Sequence, residues 1–300
     1  MNNLEKLQKL KEETDAVILA HYYVDGEIQK VADFVGDSFF LAQTAEKLEN
    51  KTIVMAGVYF MAESVKILNP DKKVLLVDKC ASCPMVDMIT VDEIERVRSE
   101  NEDIAVVCYI NSSAKIKAHC DVCVTSSNAL KIIESLPEKN IFFVPDRNLG
   151  SYIAKNVQDK NIILNDGCCP VHDKVSADVV KKLKKEHPNA KVLAHPECKS
   201  EVIELADFVG STKGIILEAD SDSHEFIIVT EKGISSKLSE LYPEKTFYYI
   251  DDFICDDMKL LTMEKLIHTL EFSENEVEVD KEIAKKAIVP LERMLKLGAK

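Results

Sequence analysis

Three hundred residues with a formal net charge of −14 argue against a partner such as duplex nucleic acid, whose phosphates require a Lys/Arg footprint. A hydrophobic share of 46% supports a globular chain of one large or two to three small units. Its longest apolar runs, Ala16 to Ala20 and Ile141 to Val144 among them, fall far short of the roughly 20 residues that cross a membrane. Nine cysteines, together with a charged amphipathic stretch from Met1 to Asp15 in place of a signal-peptide pattern, lead us to expect reduced thiols and a cytoplasmic protein.

In chain order, one pattern recurs three times. The first copy holds the apolar run Ala16 to His21, then Val31-Ala32-Asp33-Phe34-Val35-Gly36-Asp37-Ser38, Thr52 to Gly57, Val74 to Asp78 and finally Cys83. The second, more diverged, holds Ala105 to Tyr109, His119 to Ser126, Ile141 to Val144, Asn161 to Leu164 and Cys169. The third holds Lys191 to His195, Leu205 to Thr212, Phe226 to Thr230, Thr246 to Ile250 and Cys255. Asn2, Thr90, Ser176 and Thr262 are N-cap residue types in the same register, each opening a charged amphipathic segment. Four such starts for three copies suggest a last helix that closes the ring.

Short Val/Ile-rich runs alternating with helical patterns read as βαβ crossovers around parallel sheets. The expected fold is α/β, with three pseudo-threefold-related three-layer αβα units around a central cavity. Units are expected at residues 1–88, 89–174 and 175–260, with helices at 261–300 closing on the body. The tail reads as an acidic loop followed by a helix near Asp280 to Leu297.

Ligands of open parallel sheets bind beyond the strand carboxyl ends. The residues there are His21 with Tyr23, Tyr109 with Asn111, and His195 with Glu197; then Ser38, Ser126 and Thr212; then Cys83, Cys169 and Cys255. Ser38, Ser126 and Thr212 fall where helix N-caps are expected, and capping alone would explain three hydroxyls. Three helix N-termini converging on one anion would explain them equally. A single histidine at a strand end is commonly a satisfied core residue, but His21 and His195 recur in register, followed two residues on by Tyr23 and Glu197.

The repeat sorts the cysteines. Cys83, Cys169 and Cys255 recur at intervals of 86, whereas Cys108, Cys120 and Cys123 align with Ala or Val in both sister copies and read as core. Cys198 has no clear place in this scheme. Three thiols, one per unit, make a poor closed zinc site, which takes four ligands. They suit a 4Fe-4S cluster with one iron free to act as a Lewis acid in dehydration. A rival four-thiolate zinc site would pair Cys80 and Cys83 with Cys120 and Cys123.

Segments along nearly the whole chain resemble the quinolinate synthase family: Ala20-His21-Tyr22-Tyr23, Ala32 to Ser38, Cys83-Pro84-Met85, Tyr109 to Ser113, Thr125 to Ala129, Pro145 to Gly150, Gly167 to His172, His195-Pro196-Glu197-Cys198, Val209 to Thr212 and Cys255 to Lys259. The family pattern puts the second cluster ligand three residues before His172, selecting Cys169 over its neighbour Cys168, as the register does; the doublet stays a local ambiguity. The resemblance implies condensation of iminoaspartate with dihydroxyacetone phosphate to quinolinate, with loss of phosphate and two waters, on the route to NAD. It implies a substrate pocket lined by His21, Ser38, Tyr109, Ile110, Asn111, Ser126, His195, Pro196, Glu197 and Thr212. Proton transfers would fall to Tyr23, Tyr109, His195 and Glu197, and an aspartate-oxidising enzyme would be a functional partner. Other triplicated three-cysteine enzymes, the isoprenoid diphosphate reductase and the diphthamide-synthase type, and a non-enzymatic cluster carrier remain alternatives at this stage.

Overall fold

The computed structural model describes residues 2–298. The first four strands are β1 (Ala16–His21), β2 (Phe34–Gly36), β3 (Thr52–Ala56) and β4 (Lys73–Leu76). The next four are β5 (Ile104–Tyr109), β6 (Val122–Val124), β7 (Asn140–Val144) and β8 (Asn161–Leu164). The last four are β9 (Lys191–Ala194), β10 (Phe208–Val209), β11 (Glu225–Val229) and β12 (Thr246–Tyr249). They form three four-stranded sheets of identical order, β2-β1-β3-β4, β6-β5-β7-β8 and β10-β9-β11-β12, with every pair parallel. Helices connect successive strands, giving the α/β three-layer architecture expected of the sequence. Strands β1 and β3 are buried at every position, as strands covered on both faces must be.

The three sheets share a side-chain clamp. Asp33 accepts the Ile18 N–H at 2.8 Å, Asp121 that of Val106 at 2.7 Å, and Asp207 that of Val192 at 2.8 Å. Each aspartate returns its own N–H to the carbonyl of the same partner, at 3.0, 2.9 and 2.9 Å. The recurring aspartate thus locks the start of the second strand to the first. A cation sits beside it each time: Lys11 at 2.6 Å, Arg98 at 2.8 Å and Lys184 at 4.0 Å.

A second repeated lock is made of main chain. After the third strand of each sheet one amide donates to a carbonyl two residues before the register cysteine: Tyr59 to Ala81 at 2.9 Å, Arg147 to Gly167 at 2.7 Å and Lys232 to Phe253 at 2.8 Å. Each cysteine then begins a one-turn helix, Pro84–Asp87, Pro170–Asp173 or Asp256–Lys259.

The four amphipathic segments are helices Asn3–Thr14, Val91–Glu100, Ala177–Glu186 and Met263–Phe272. Asn2 makes a full capping box with Glu5, and Thr90 and Thr262 accept amides three residues on. Ser176 stands at its N-cap without a side-chain bond. Helix Met263–Phe272 lies against Asn3–Thr14, joined by Lys6 and Glu271 at 2.6 Å. Beyond it, Asn275 and Val277 bond to Leu76 and Val74 and cover the open edge of β4, a row of backbone groups otherwise free to pair with another chain. Helix Lys281–Gly298 packs on β6 and on helices Tyr59–Leu68 and Ala114–Lys117. No helix among the described residues is long and apolar enough to cross a membrane.

Candidate active site

One cavity collects the carboxyl ends of all three sheets. Its lining includes His21, Tyr23, Ser38, Tyr109, Ile110, Asn111, Ser126, His195, Glu197 and Thr212, together with Cys83, Cys169 and Cys255. Pro196 is buried but lies outside that lining.

The capping explanation of the three hydroxyls fails on local geometry. Asp37 caps helix Ser38–Lys47 by accepting the Phe40 N–H, and Ser211 caps Thr212–Glu218 by accepting that of Gly214. Ser38 and Thr212 are therefore the first helical residues, and Ser126 stands two before Asn128, the N-cap of Ala129–Ser135. Asp37 and Ser211 do the capping in two copies, and in the third Asn128 stands at the N-cap without a side-chain capping bond, so none of the three hydroxyls is a cap.

The two register histidines hold their tautomers by the same device. His21 Nδ1 accepts the Tyr23 amide at 3.2 Å, and His195 Nδ1 accepts the Glu197 amide at 3.3 Å. In each neutral ring the proton is thereby assigned to Nε2, and His195 donates it to Ser126 Oγ at 3.2 Å. Burial lowers the pKa of His21 to about 4 and of His195 to about 3, with Glu197 opposing the shift in both. Both rings are neutral donors at pH 7.

Glu197 is the buried anion of the cavity, 4% exposed. Burial alone would raise its pKa, but His172, His195 and a bond from Tyr109 bring it down to about 2. His172 Nδ1 lies 2.8 Å from its carboxylate, and Asn148 Nδ2 holds its carbonyl at 3.0 Å. Burial, then Glu197, pushes the hydroxyls of Tyr23 and Tyr109 well above the ordinary tyrosine range, so both stay protonated donors. The Tyr23 hydroxyl contacts Thr212 and Thr230, each at 2.8 Å.

Burial also pushes the thiols of Cys83 and Cys169 well up and that of Cys255 to about 11. Such groups become thiolates only beside a strong positive charge. A single tetrahedral ion with bonds of about 2.3 Å would draw its sulfurs to about 3.8 Å from one another. Among the described residues, the one group of three potential ligand atoms lying within 4.8 Å of each other is Cys169, His172 and Glu197. The three register thiols line one cavity without meeting at that distance, which fits a multi-iron cluster spanning them better than one ion. Cys168 is outside the lining, with its amide on Met88 Sδ. The rival zinc set is scattered: Cys80 is exposed, and Cys123 is a strand partner of Cys108 inside the second sheet. Cys198 is core, 1% exposed, its thiol directed at the Val229 carbonyl.

Three residues of this site escaped sequence reasoning. His172 sits one helical turn after Cys169, a spacing that could have flagged it. Thr230 and Glu231 follow β11 where the sister copies carry Gly57 and Val58 or Pro145 and Asp146, so the repeat gave little notice of them. Glu231, fully buried, accepts the Cys255 amide at 3.3 Å and the Gly233 amide at 2.6 Å.

Three parallel sheets turned toward one buried cavity of thiols, imidazoles, tyrosines and a carboxylate define an α/β enzyme with a soft-donor centre. Comparison with known proteins gives the particular group. Residues 5–296 match the family described as quinolinate synthetase A protein, NadA. The chain is 60% identical over 294 residues to the quinolinate synthase of Fusobacterium nucleatum subsp. nucleatum, covering 98% of this chain and 99% of that one. It is 48% identical to the quinolinate synthase of Caldicellulosiruptor bescii, covering 98% and 97%, and 46% identical to quinolinate synthase 2 of Methanosarcina acetivorans, covering 98% and 95%. The chain belongs to the quinolinate synthase family, enzymes of NAD biosynthesis.

Proposed function

We propose that this enzyme condenses iminoaspartate with dihydroxyacetone phosphate to quinolinate, releasing phosphate and two waters. The observation that carries the reading is the single cavity in which one register thiol from each of three sheets meets Glu197, Tyr109, Tyr23 and the two neutral histidines. Cys83, Cys169 and Cys255 would hold a 4Fe-4S cluster, which supplies an iron without a protein ligand as a Lewis acid for dehydration.

The remaining chemistry belongs to side chains of this chain. Nε2–H of His21, the hydroxyls of Ser38 and Ser126, and the Asn111 amide offer neutral donors to carboxylates and phosphate, and Thr212 lines the same pocket. His195 donates to Ser126 and so leaves the Ser126 hydroxyl proton free for the ligand. Glu197, ionised and aimed by His172, is the base that takes a proton from the triose carbon. Tyr109, bonded to that carboxylate, is the acid that returns protons to oxygen, and Tyr23, its hydroxyl held between Thr212 and Thr230, assists those transfers. Ile110 closes the pocket with apolar surface, and Pro196 fixes the turn between His195 and Glu197.

The same reading divides the chain at residues 1–88, 89–174 and 175–260 into three units about a near-threefold axis, with 261–300 closing on them. It also places the enzyme in the cytoplasm, beside an aspartate-oxidising enzyme that supplies the unstable imine. The test is anaerobic: cluster-loaded protein with both substrates should form quinolinate, and omission of either substrate should abolish it. No quinolinate from protein with full iron content would reject the reading.

A further inference from the structure

The Tyr23 hydroxyl lies 2.8 Å from Thr230 Oγ1, Thr230 Oγ1 lies 3.0 Å from His172 Nε2, and His172 Nδ1 lies 2.8 Å from the Glu197 carboxylate. We propose that Thr230 and His172 are positioning residues of the catalytic site, forming one thread that orients the Tyr23 proton and aims an N–H at Glu197. The inference rests on the reading of Tyr23 and Glu197 as catalytic groups given above.

Proton counting leaves one arrangement for a neutral His172. Nδ1 faces the Glu197 carboxylate and also, at 3.2 Å, Cys169 Sγ; a carboxylate only accepts and sulfur can accept, so Nδ1 carries the ring proton and Nε2 is bare. Thr230, with one hydroxyl proton, must then donate it to Nε2. Its oxygen is left to accept, so Tyr23 donates to Thr230, and the Tyr23 oxygen in turn accepts from Thr212, 2.8 Å away. Reversing any one bond would leave two protons or none between a pair of atoms that are almost completely shut off from water, Thr230 and His172 being each 1% exposed. Such orphaned buried groups are costly.

The thread also explains a placement that packing does not. Tyr23 follows β1, Thr230 follows β11 and His172 rides on the helix after β8, so the four links join all three sheets. Thr230 is absent from the cavity lining and acts only through its two neighbours. The ring of His172 is further steadied by Phe253, with centroids 5.0 Å apart, and by His195 at 4.8 Å. Its tautomer is the reverse of that held by His21 and His195: two rings present Nε2–H to the cavity, and the third presents Nδ1–H to the base.

Thr230→Val removes the hydroxyl while keeping the shape, and Thr230→Ser keeps the hydroxyl while dropping the methyl. In anaerobically reconstituted full-length enzyme, T230V should lose about 10- to 100-fold in kcat, the range found when an outer partner of a catalytic or metal-bound group is removed. Its KM values and iron content should stay close to wild type, and T230S should recover most of the rate. Ring-labelled histidine NMR of the same protein should show His172 protonated on Nδ1, with the His172→Gln variant assigning the signal, and T230V should mix its tautomers. A wild-type His172 protonated on Nε2, or a T230S enzyme as slow as T230V, would overturn the proposal. Failure of the wild type to form quinolinate would instead remove the activity on which kcat depends, while the tautomer measurement would still judge the thread.

Discussion

His195 and Ser126 lie 3.2 Å apart across the cavity, Nε2 to Oγ, a pairing of a β9 strand end with the loop after β6 that makes the serine an acceptor toward protein and a donor toward ligand. Ser126→Ala should therefore weaken binding of quinolinate or a carboxylate analogue by about 1.5 to 3 kcal/mol, the value of a hydrogen bond to a charged group. Its stability should fall by less than its binding, because the His195 Nε2–H left without the serine still lines the cavity. Ser211→Ala, which removes a true cap, should do the opposite, costing about 1 kcal/mol of stability. Paired thermal melts and binding isotherms distinguish the two roles.

Serine in place of Cys83, Cys169 or Cys255 should remove most of the iron and the activity. Cys168→Ser should keep both. At Cys108 and Cys123, 0% exposed, the same change should cost about 1 to 3 kcal/mol of stability and leave iron bound in whatever remains folded. Iron and sulfide analysis under anaerobic conditions reads all of these, and full occupancy in the three register variants would end the cluster assignment.

Acid should weaken the fold from near neutrality downward. His21 binds its proton more weakly folded, near pH 4, than unfolded, near 6.5, so the unfolded chain takes up more protons between these values and stability falls as pH drops through that window. The full difference is about 3 kcal/mol by linkage. Glu197, depressed to about 2, contributes stability that is present above the unfolded carboxyl value and is lost as pH falls toward 2. In thermal melts across the acid range, His21→Gln should flatten the upper part of the curve relative to wild type and leave the lower part.

Asp121→Asn should be a folding defect without a catalytic one. It loses the charged acceptor of the Val106 amide and the partner of Arg98, at a cost of about 1 to 3 kcal/mol. Melting temperature should drop while kcat per folded enzyme stays at the wild-type value. A selective loss of kcat would contradict a purely structural clamp.

Much of this architecture was legible because the chain carries its own alignment. Three copies of one pattern revealed the parallel sheets, the strand ends and the matched cysteines without a second sequence. The clamp aspartates were visible in the same way, as Asp33, Asp121 and Asp207, though their task was not. What stayed hidden was whatever broke the repeat: His172 and Thr230 have no matching types in register, and Glu231 is matched by an acid, Asp146, in one sister copy alone. The one-residue offset between the capping side chains and Ser38 and Thr212 was hidden too, because a pair of adjacent polar residues does not say which one turns back on its own helix.

The amides of Tyr59, Arg147 and Lys232 hold the cysteine loops through main chain alone. Such a bond is indifferent to the identity of the side chain that carries it, and these three positions are in fact occupied by an aromatic ring, a guanidinium and an ammonium. The placement of the thiols is thus insulated from ordinary drift at the residues that secure it. Proline, which has no amide hydrogen to give, is the residue type these positions cannot accept without letting a thiol wander.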